Sequence, residues 1–466
     1  MICLQDGMAV KTAIIVLTYN NLAYNKGVLR TIEEHTEAGT YELIFVDNAS
    51  TDGTREWLQG LDGPTVILND ENKGFPGGCN IGIQAAKPGW DILLLNNDVE
   101  ACHNWLENLK RALYTNPEIG AVQAVNSNHL SDPSVDLYGN DLEAVQAFAR
   151  ENNRSDPARW ENMNYLNGFC VLFKRQALDE AGLLDERFNP GNFEDDDISF
   201  RLLEKGWRLL RCRDAYVHHF HSKSFKSPER AQRYWNLIET NRQKFYDKWG
   251  FDAWDKYLSE SQLLRLVDEE PSRELNVLHL GCGLGQTLTE LKNKVPKARL
   301  FAAGTHPLHL KVLAGICDDT FQTYKGHFTH LGQADSYDYI LTGTEFQRSH
   351  DPKGLLTHLR EYLKPGGYLV INVENPMCFT TLRELLRGSW HYGGTELSAS
   401  KNRINLTPND AFKLGMETGY QTSMLYHWYL QTNDDDEAFI EKLCQMTNSR
   451  NGPLYRSHLY TVRFQK

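Results

Sequence analysis

The sequence has no apolar run approaching the ~18 residues that span a bilayer. Its first residues, MICLQDGMAVKT, lack the basic-then-apolar order of a secretory leader. A soluble, cytoplasmic protein without a transmembrane segment is the expectation. Basic residues are in deficit, with 49 Lys and Arg against 61 Asp and Glu and a net charge of −12. Phosphate backbones are bound by clustered cations, so this balance weighs against nucleic acid as a main partner. Nine cysteines lie far apart with no C-x-x-C pair, which points to a reduced protein rather than a disulfide or zinc scaffold. Short-period repeats and low-complexity segments are also lacking, which sets aside a solenoid.

What the chain does have is length and alternation. Its 466 residues suit two or three domains. Apolar runs AIIVLT (13–18), YELIFV (41–46), TVIL (65–68) and ILLL (92–95) alternate with helical patterns over Leu22–Glu37, Thr54–Leu61 and Gly78–Lys87. Such alternation implies a parallel α/β sheet. Ser227–Val267, rich in charge and in Trp and Tyr, reads as a helical connector. A second alternation starts at NVLHL (276–280), continues through ARLFAAG, YDYILTG and GYLVINV (367–373), and closes on the strand-like TSMLYHWYL and LYRSHLYTVRF. Two α/β domains in series follow: 10–225 and 274–466, joined by a helical connector over 226–273.

Polar groups gather where the first strands end. These are Thr18-Tyr19-Asn20, the run from Asp47 to Gly53, and Asn96-Asn97-Asp98. Each alone suits a turn. Ligands of open parallel sheets bind beyond the carboxyl ends of the strands, and coincidence at several ends marks a common crevice. The Gly-rich stretch NKGFPGGCN (72–80) opens a helix and can bring backbone N–H groups close to a phosphate.

VLTYNN, VDNASTDGT, NKGFPGGCNIG, LLLNNDV, NGFCVLFKR and GNFEDDDISFRL together resemble a family-two inverting glycosyltransferase of the rhamnosyltransferase-like branch. That resemblance covers roughly residues 10 to 225 and implies the GT-A nucleotide-diphospho-sugar transferase fold. It implies a nucleotide site built from Thr18, Tyr19, Asn20, Asp47, Asn48, Asn72, Gly74, Phe75, Gly77, Asn80 and Asn97, with Asp47 at the base or ribose. Asp98 stands where the family places a metal ligand, and a hard cation, Mn²⁺ or Mg²⁺, needs few protein oxygens when a diphosphate supplies others. Asp195 matches the general base that takes the acceptor's proton. Glu194 and Asp197 are expected in support, and Asp196 adds one charge more than the family pattern. Four adjacent carboxyls repel, so at least one pKa should rise. Downstream, His218, His219 and His221 include an H-x-H pair, and a histidine near the metal is implied, with His219 favoured. Ser222 and Lys223 are further candidates for phosphate.

NVLHLGCGLGQTL and YDYILTGTEFQRSHDPKGLLTHLREYLKPGGYLVINV resemble a class I S-adenosylmethionine-dependent methyltransferase over about 274 to 466, which implies a Rossmann-like fold. Gly281, Gly283 and Gly285 form the turn beneath the cofactor in that family. Two departures stand out: the acid expected two residues before the first glycine is His279, and the acid expected after the second strand is Thr305. Losing a carboxylate that holds the pair of ribose hydroxyls costs ~1–3 kcal/mol. These departures favour a non-catalytic second domain with S-adenosylmethionine-site remnants at Gly281, Gly283, Gly285 and Thr305.

The leading expectation is a metal-dependent inverting transfer of sugar from a UDP or TDP donor to a glycan or protein acceptor. The alternatives are a bifunctional glycosyl- and methyltransferase, and a non-catalytic glycan- or partner-binding protein. WHYGG (390–394) and YHWY (426–429) are aromatic enough to stack on sugars or to serve the core.

Overall fold

A computed structural model describes residues 11–129, 141–220, 228–324, 328, 330–343, 345–388, 406–448 and 450–466. The chain forms two compact units, the first running to Lys256 and the second starting at Tyr257, with Ala314–Ile316 grouped with the first. WHYGG and the candidates His221, Ser222 and Lys223 lie outside the described residues.

The first unit contains β1 (Thr12–Thr18), β2 (Tyr41–Asp47), β3 (Thr65–Leu68), β4 (Asp91–Asn96), β5 (Val99–Glu100), β6 (Ile119–Val125), β7 (Trp160–Met163), β8 (Cys170–Phe173), β9 (Arg208–Tyr216) and β10 (His218–His219). Eight of them form one sheet in the order β3-β2-β1-β4-β8-β6-β9-β7, and β10 pairs with β5 in a separate ladder. Strands β3, β2, β1 and β4 are mutually parallel. Burial on both faces explains why β1, β2 and β4 read as unbroken apolar runs, while β3 at the sheet edge is only partly buried. Beyond β4 the sheet turns mixed, because β8 runs antiparallel to both β4 and β6. Ile14, Val16, Phe45, Leu93, Leu95 and Leu172 anchor the core.

The helix after β3 spans Gly74–Ala85, four residues earlier than the pattern suggested. Pro76 sits in its first turn, where the missing N–H has no intrahelical partner to lose. The small residues let the helix lie directly on the sheet. A Cβ on Gly78 would run into Leu17 Cδ1, and one on Gly82 into Ile15 Cγ2.

The helix Pro228–Trp249 packs on the first unit through aromatic rings. Phe245 lies 6.1 Å from Phe188 and 5.9 Å from Phe200, and Trp249 lies 5.8 Å from Phe200. Asn241 Nδ2 donates to the carbonyls of Phe188 (2.7 Å) and Gly191 (2.9 Å), tying this helix to the loop ahead of the acidic turn.

The second unit holds β11 (Asn276–Leu280), β12 (Arg299–Gly304), β13 (Asp319–Gln322), β14 (Tyr337–Thr342), β15 (Leu363–Glu374), β16 (Gln421–Tyr429) and β17 (Ser457–Gln465). Their order is β13-β12-β11-β14-β15-β17-β16. The first five are parallel, while β17 runs antiparallel to β15 and β16. Strand order reverses between β11 and β14, which places this unit's natural ligand crevice at their carboxyl ends. Every described cysteine is unpaired. No helix among the described residues is long and apolar enough to cross a membrane.

The close approach at Gly82 yields a test. Replacing a mid-helix glycine gains up to ~1 kcal/mol of helix propensity. Overpacking against Ile15 costs about 1–3 kcal/mol. Gly82→Leu is therefore expected to lower the urea midpoint of the first unit, and an equal or higher midpoint would contradict the packing described.

Candidate active site

Strands β1, β2 and β4 end side by side, so their terminal residues share one mouth. An open cleft of about 330 Å³ lies there, lined by Leu17, Tyr19, Asn21, Tyr24, Asn48, Asn72, Gly74, Phe75, Asn96, Asn97, Asp98 and Pro190. That volume falls within the ~300–1,000 Å³ of small-molecule sites. Of the predicted nucleotide residues, Tyr19, Asn48, Asn72, Gly74, Phe75 and Asn97 line the cleft.

The others lie behind its wall. Thr18 pairs with Asp47 in the β1–β2 register, and both are fully buried. Thr18 Oγ1 donates to Asp47 Oδ1 (3.2 Å), and Asp47 Oδ2 accepts from Ser50 N (3.1 Å) and Arg55 Nη1 (3.4 Å). Asn20 Oδ1 accepts from Thr51 N (2.8 Å), which pins the β1 end to the β2 loop. Asn80 is a clamp rather than a cleft residue. Its Nδ2 donates to Leu184 O (2.9 Å) and Glu186 Oε1 (3.0 Å), and its Oδ1 accepts from Leu184 N (2.9 Å). Gly77 faces Lys73, Glu186 and Asn189. The backbone donors expected to meet phosphate are already engaged at Gly74, by Asn72 Oδ1 (2.8 Å), and at Phe75, by Pro190 O (2.8 Å).

On the opposite wall, β10 pairs antiparallel with β5 so that His219 faces Val99, and Phe220 N donates to Asp98 O (3.0 Å). This short ladder brings His219 Nε2 to 3.1 Å from Asp98 Oδ1, both side chains being largely buried. His218 is directed elsewhere, with its Nδ1 3.4 Å from Tyr216 Oη. Asn97 Nδ2 donates to Asn25 Oδ1 (2.7 Å), and Asn25 Nδ2 donates to Asn20 O (2.9 Å), so a partly buried amide chain links the ends of β4 and β1.

The acidic run begins the helix Glu194–Glu204. Asn192 and Phe193 precede it at φ of 76° and 74°, a left-handed pair that costs roughly 1–2 kcal/mol per non-glycine residue. The four acids meet four different surroundings. Asp197, fully buried, accepts from Arg201 Nε (2.8 Å) and Trp249 Nε1 (2.9 Å) and pairs with Lys248. Asp196 is paired with Lys256, and burial pushes its carboxyl up to about 7 against the pull of that ammonium. Glu194 is buried with Oε2 unbonded among the described residues. Burial first, then the charge of Asp195, holds its carboxyl well above the ordinary range. Asp195 alone stays partly exposed, its Oδ2 accepting from Gly168 N (3.2 Å) and its Oδ1 from Asp196 N (3.0 Å).

Gly168 and Phe169 join the two halves. Gly168 holds Asp195, while the Phe169 ring stacks on His219 at 5.2 Å and 10°, and Phe169 O accepts from Asn96 N (2.9 Å). Phe75 borders both the cleft and the small void beside Asp195. The bridging role of Gly168 and Phe169 was visible only as the motif NGF, with no role attached. Lys256, sixty positions from Asp196, had no local signal beyond the surplus acid that needed an answer.

In the second unit, Gly281, Gly283 and Gly285 turn from β11 into the helix Gln286–Lys294 at φ of 73°, 54° and 81°. Thr305 follows β12 and is exposed. His279 is buried, with Nε2 3.1 Å from Glu260 Oε2. The aromatic run at 426–429 lies on β16, where Trp428 Nε1 donates to Thr461 Oγ1 (3.0 Å) and Tyr429 is exposed.

Residues 13–182 match the family model Glycosyl transferase family 2, and residues 246–428 match the model Methyltransferase domain. An uncharacterized protein, y4gI, of Sinorhizobium fredii is 25% identical over 254 residues, covering 50% of this chain and 27% of that protein. A malonyl-[acyl-carrier protein] O-methyltransferase of Paenibacillus sp. is 26% identical over 177 residues, 35% of this chain and 62% of that protein. The chain thus spans less than two thirds of the length of these curated relatives. Among solved structures, a mannosyltransferase from Pyrobaculum calidifontis in complex with GDP-Man and Mn²⁺ aligns with a TM-score of 0.37 and 22% identity. It covers 49% of this chain and 62% of its own. A SAM dependent methyltransferase from Archaeoglobus fulgidus aligns with a TM-score of 0.33 and 14% identity, over 48% of this chain and 98% of its own. The chain therefore carries a glycosyl transferase family 2 domain followed by a methyltransferase domain.

Proposed function

We propose that the first unit is an inverting hexosyl- or rhamnosyltransferase. It moves a sugar from a UDP or TDP donor to a hydroxyl of a glycan or protein acceptor, with Mn²⁺ or Mg²⁺ as cofactor. One observation carries this reading: Gly168 holds Asp195, and the next residue, Phe169, packs on the Asp98–His219 pair at the cleft wall.

Among the described residues no three His, Cys, Asp or Glu side chains cluster to hold an ion unaided. Asp98 and His219 offer one oxygen and one nitrogen donor beside the cleft, a set that fits Mn²⁺ or Mg²⁺ once diphosphate oxygens and water complete it. A bound ion would supply charge neutralisation for the departing diphosphate. The cleft residues Asn48, Asn72 and Asn97 would orient the nucleotide, with Asp47 and Thr18 fixing the loop behind them. Asp195 would accept the proton of the acceptor hydroxyl as its oxygen attacks the anomeric carbon from the face opposite the diphosphate. Its neighbours suit that task. Asp196 and Asp197 are paired with cations, and burial holds the Glu194 carboxyl well above the ordinary range, which supports Asp195, the partly exposed acid of the run, as the base.

A second reading, a bifunctional enzyme whose second unit binds S-adenosylmethionine, gains support from one feature. His279 replaces the strand-end acid, yet the carboxylate of Glu260 stands beside it.

Asp195→Asn is expected to lower sugar transfer by about 10²–10⁴-fold, the usual worth of a positioned base. The thermal shift given by UDP or TDP with Mn²⁺ should be unchanged. Turnover within a few-fold of the native enzyme would contradict the assignment. Glu194 yields a pH test. Its folded pKa lies above the unfolded one, so its contribution is fully present below the unfolded value and is lost as pH rises toward the folded value. Glu194→Gln mimics the protonated form and escapes that loss. Its stability relative to the native chain should rise between pH 5 and pH 8 in urea titrations, and a difference independent of pH would contradict a raised Glu194 pKa.

A further inference from the structure

The loop that leads into the acidic turn is held from two sides. On the cleft side, Pro190 O accepts from Phe75 N (2.8 Å). On the other side, three carbonyls of the same loop converge on one amide of the helix Pro228–Trp249. Asn241 Nδ2 lies 2.7 Å from Phe188 O, 2.9 Å from Gly191 O and 3.5 Å from Asn192 O. Asn241 is fully buried, and its Oδ1 has no hydrogen-bond partner among the described residues. The amide therefore serves here through its N–H groups.

Those carbonyls belong to the stretch that decides where Asp195 points. Asn192 and Phe193 are both left-handed, a conformation that non-glycine residues keep only where their surroundings fix it. The acidic helix starts at the next residue, and Asp197 N donates to Phe193 O (3.0 Å), so its first turn inherits its direction from that pair. Phe245, four residues after Asn241 and on the same helix face, packs its ring 6.1 Å from that of Phe193. Asn241 thus holds the backbone of the pair while Phe245 holds a side chain. Tyr234 Oη, from the same helix, adds a bond to Asn192 Oδ1 (3.4 Å). Asn241 lines neither the nucleotide cleft nor the void beside Asp195, so its reach to the chemistry runs through the loop.

Resting on the glycosyltransferase reading of the first unit, we propose that Asn241 is a positioning residue for sugar transfer. Its amide fixes the left-handed turn that aims the Asp195 carboxyl at the attacking hydroxyl. Without that donor, buried loop carbonyls lose their partner. The turn then relaxes toward the right-handed region, and Asp195 swings away from Gly168.

The full chain with Mn²⁺ is assayed by nucleotide release from UDP-glucose, UDP-galactose and TDP-rhamnose, with water as acceptor. The water gives its proton to Asp195 as its oxygen bonds to the anomeric carbon and the nucleoside diphosphate leaves. Turnover is expressed per nucleotide site counted by calorimetry with UDP or TDP, which removes any contribution of unfolded chain. Asn241→Ala is expected to lower that turnover roughly ten- to a hundred-fold, the usual result of a slight misplacement of a reacting group, with nucleotide affinity unchanged. Asn241→Ser differs from it by one hydroxyl donor and should recover part of the loss. Unchanged turnover per site in Asn241→Ala makes the amide a structural part only, and affinity that falls together with turnover places its effect in the cleft; either result overturns the assignment. Equal turnover in the two variants also overturns it, because filled volume rather than a donated bond would then matter. Failure of the native chain to release nucleotide from any of the three donors removes the transferase reading itself.

Discussion

The arrangement depends on the antiparallel pairing of β8 with β4. Strand β4 ends at Asn96, and the register sets Leu95 opposite Cys170, so the start of β8 lies beside the end of β4. A parallel partner would carry Gly168 and Phe169 to the far edge of the sheet. As it is, their backbone and ring reach Asp195 on one side and His219 on the other. Register in a buried strand is strongly specified, since a one-residue slip turns every side chain to the wrong face. The apolar side chains of Leu94, Val171 and Leu172 thereby set the position of two polar sites.

Electrostatics then sorts four consecutive acids into separate roles. A helical turn spreads them around its axis, so each meets a different wall. The Pro228–Trp249 helix and the segment after it supply Lys248, Trp249 and Lys256, all beyond the last residue of the family 2 match. Those partners neutralise the acids that face inward, and burial, then the charge of Asp195, holds the Glu194 carboxyl well above the ordinary range. Asp195 is left as the partly exposed carboxyl. A buried pair is weak evidence for stability, and the Asp196–Lys256 pair is better understood as fixing which carboxyl faces solvent.

The strands were legible in the sequence because burial on both faces leaves unbroken apolar runs, and NVLHL became β11 residue for residue. The common crevice was legible because polar residues follow those runs. Harder to read were features set by distant partners. Asn80 looked like a ligand group at a helix start, but its partners lie more than a hundred residues away. Gly74 was missed as a helix start because its helix opens with glycines and a proline, which local propensity scores against. Glu260 lay in a stretch taken for a connector, and only the folded chain brings it to His279.

The proposed metal–diphosphate site lies in the cleft at the ends of β1, β2 and β4, and the proposed base lines the small void that shares Phe75 with it. The most direct test is a crystal of the full chain grown with UDP and Mn²⁺, measured for anomalous scattering from manganese. The account predicts a peak bonded to Asp98 and His219, with the diphosphate completing its shell in the cleft. A nucleotide bound without that peak, or a peak elsewhere in the chain, would contradict it.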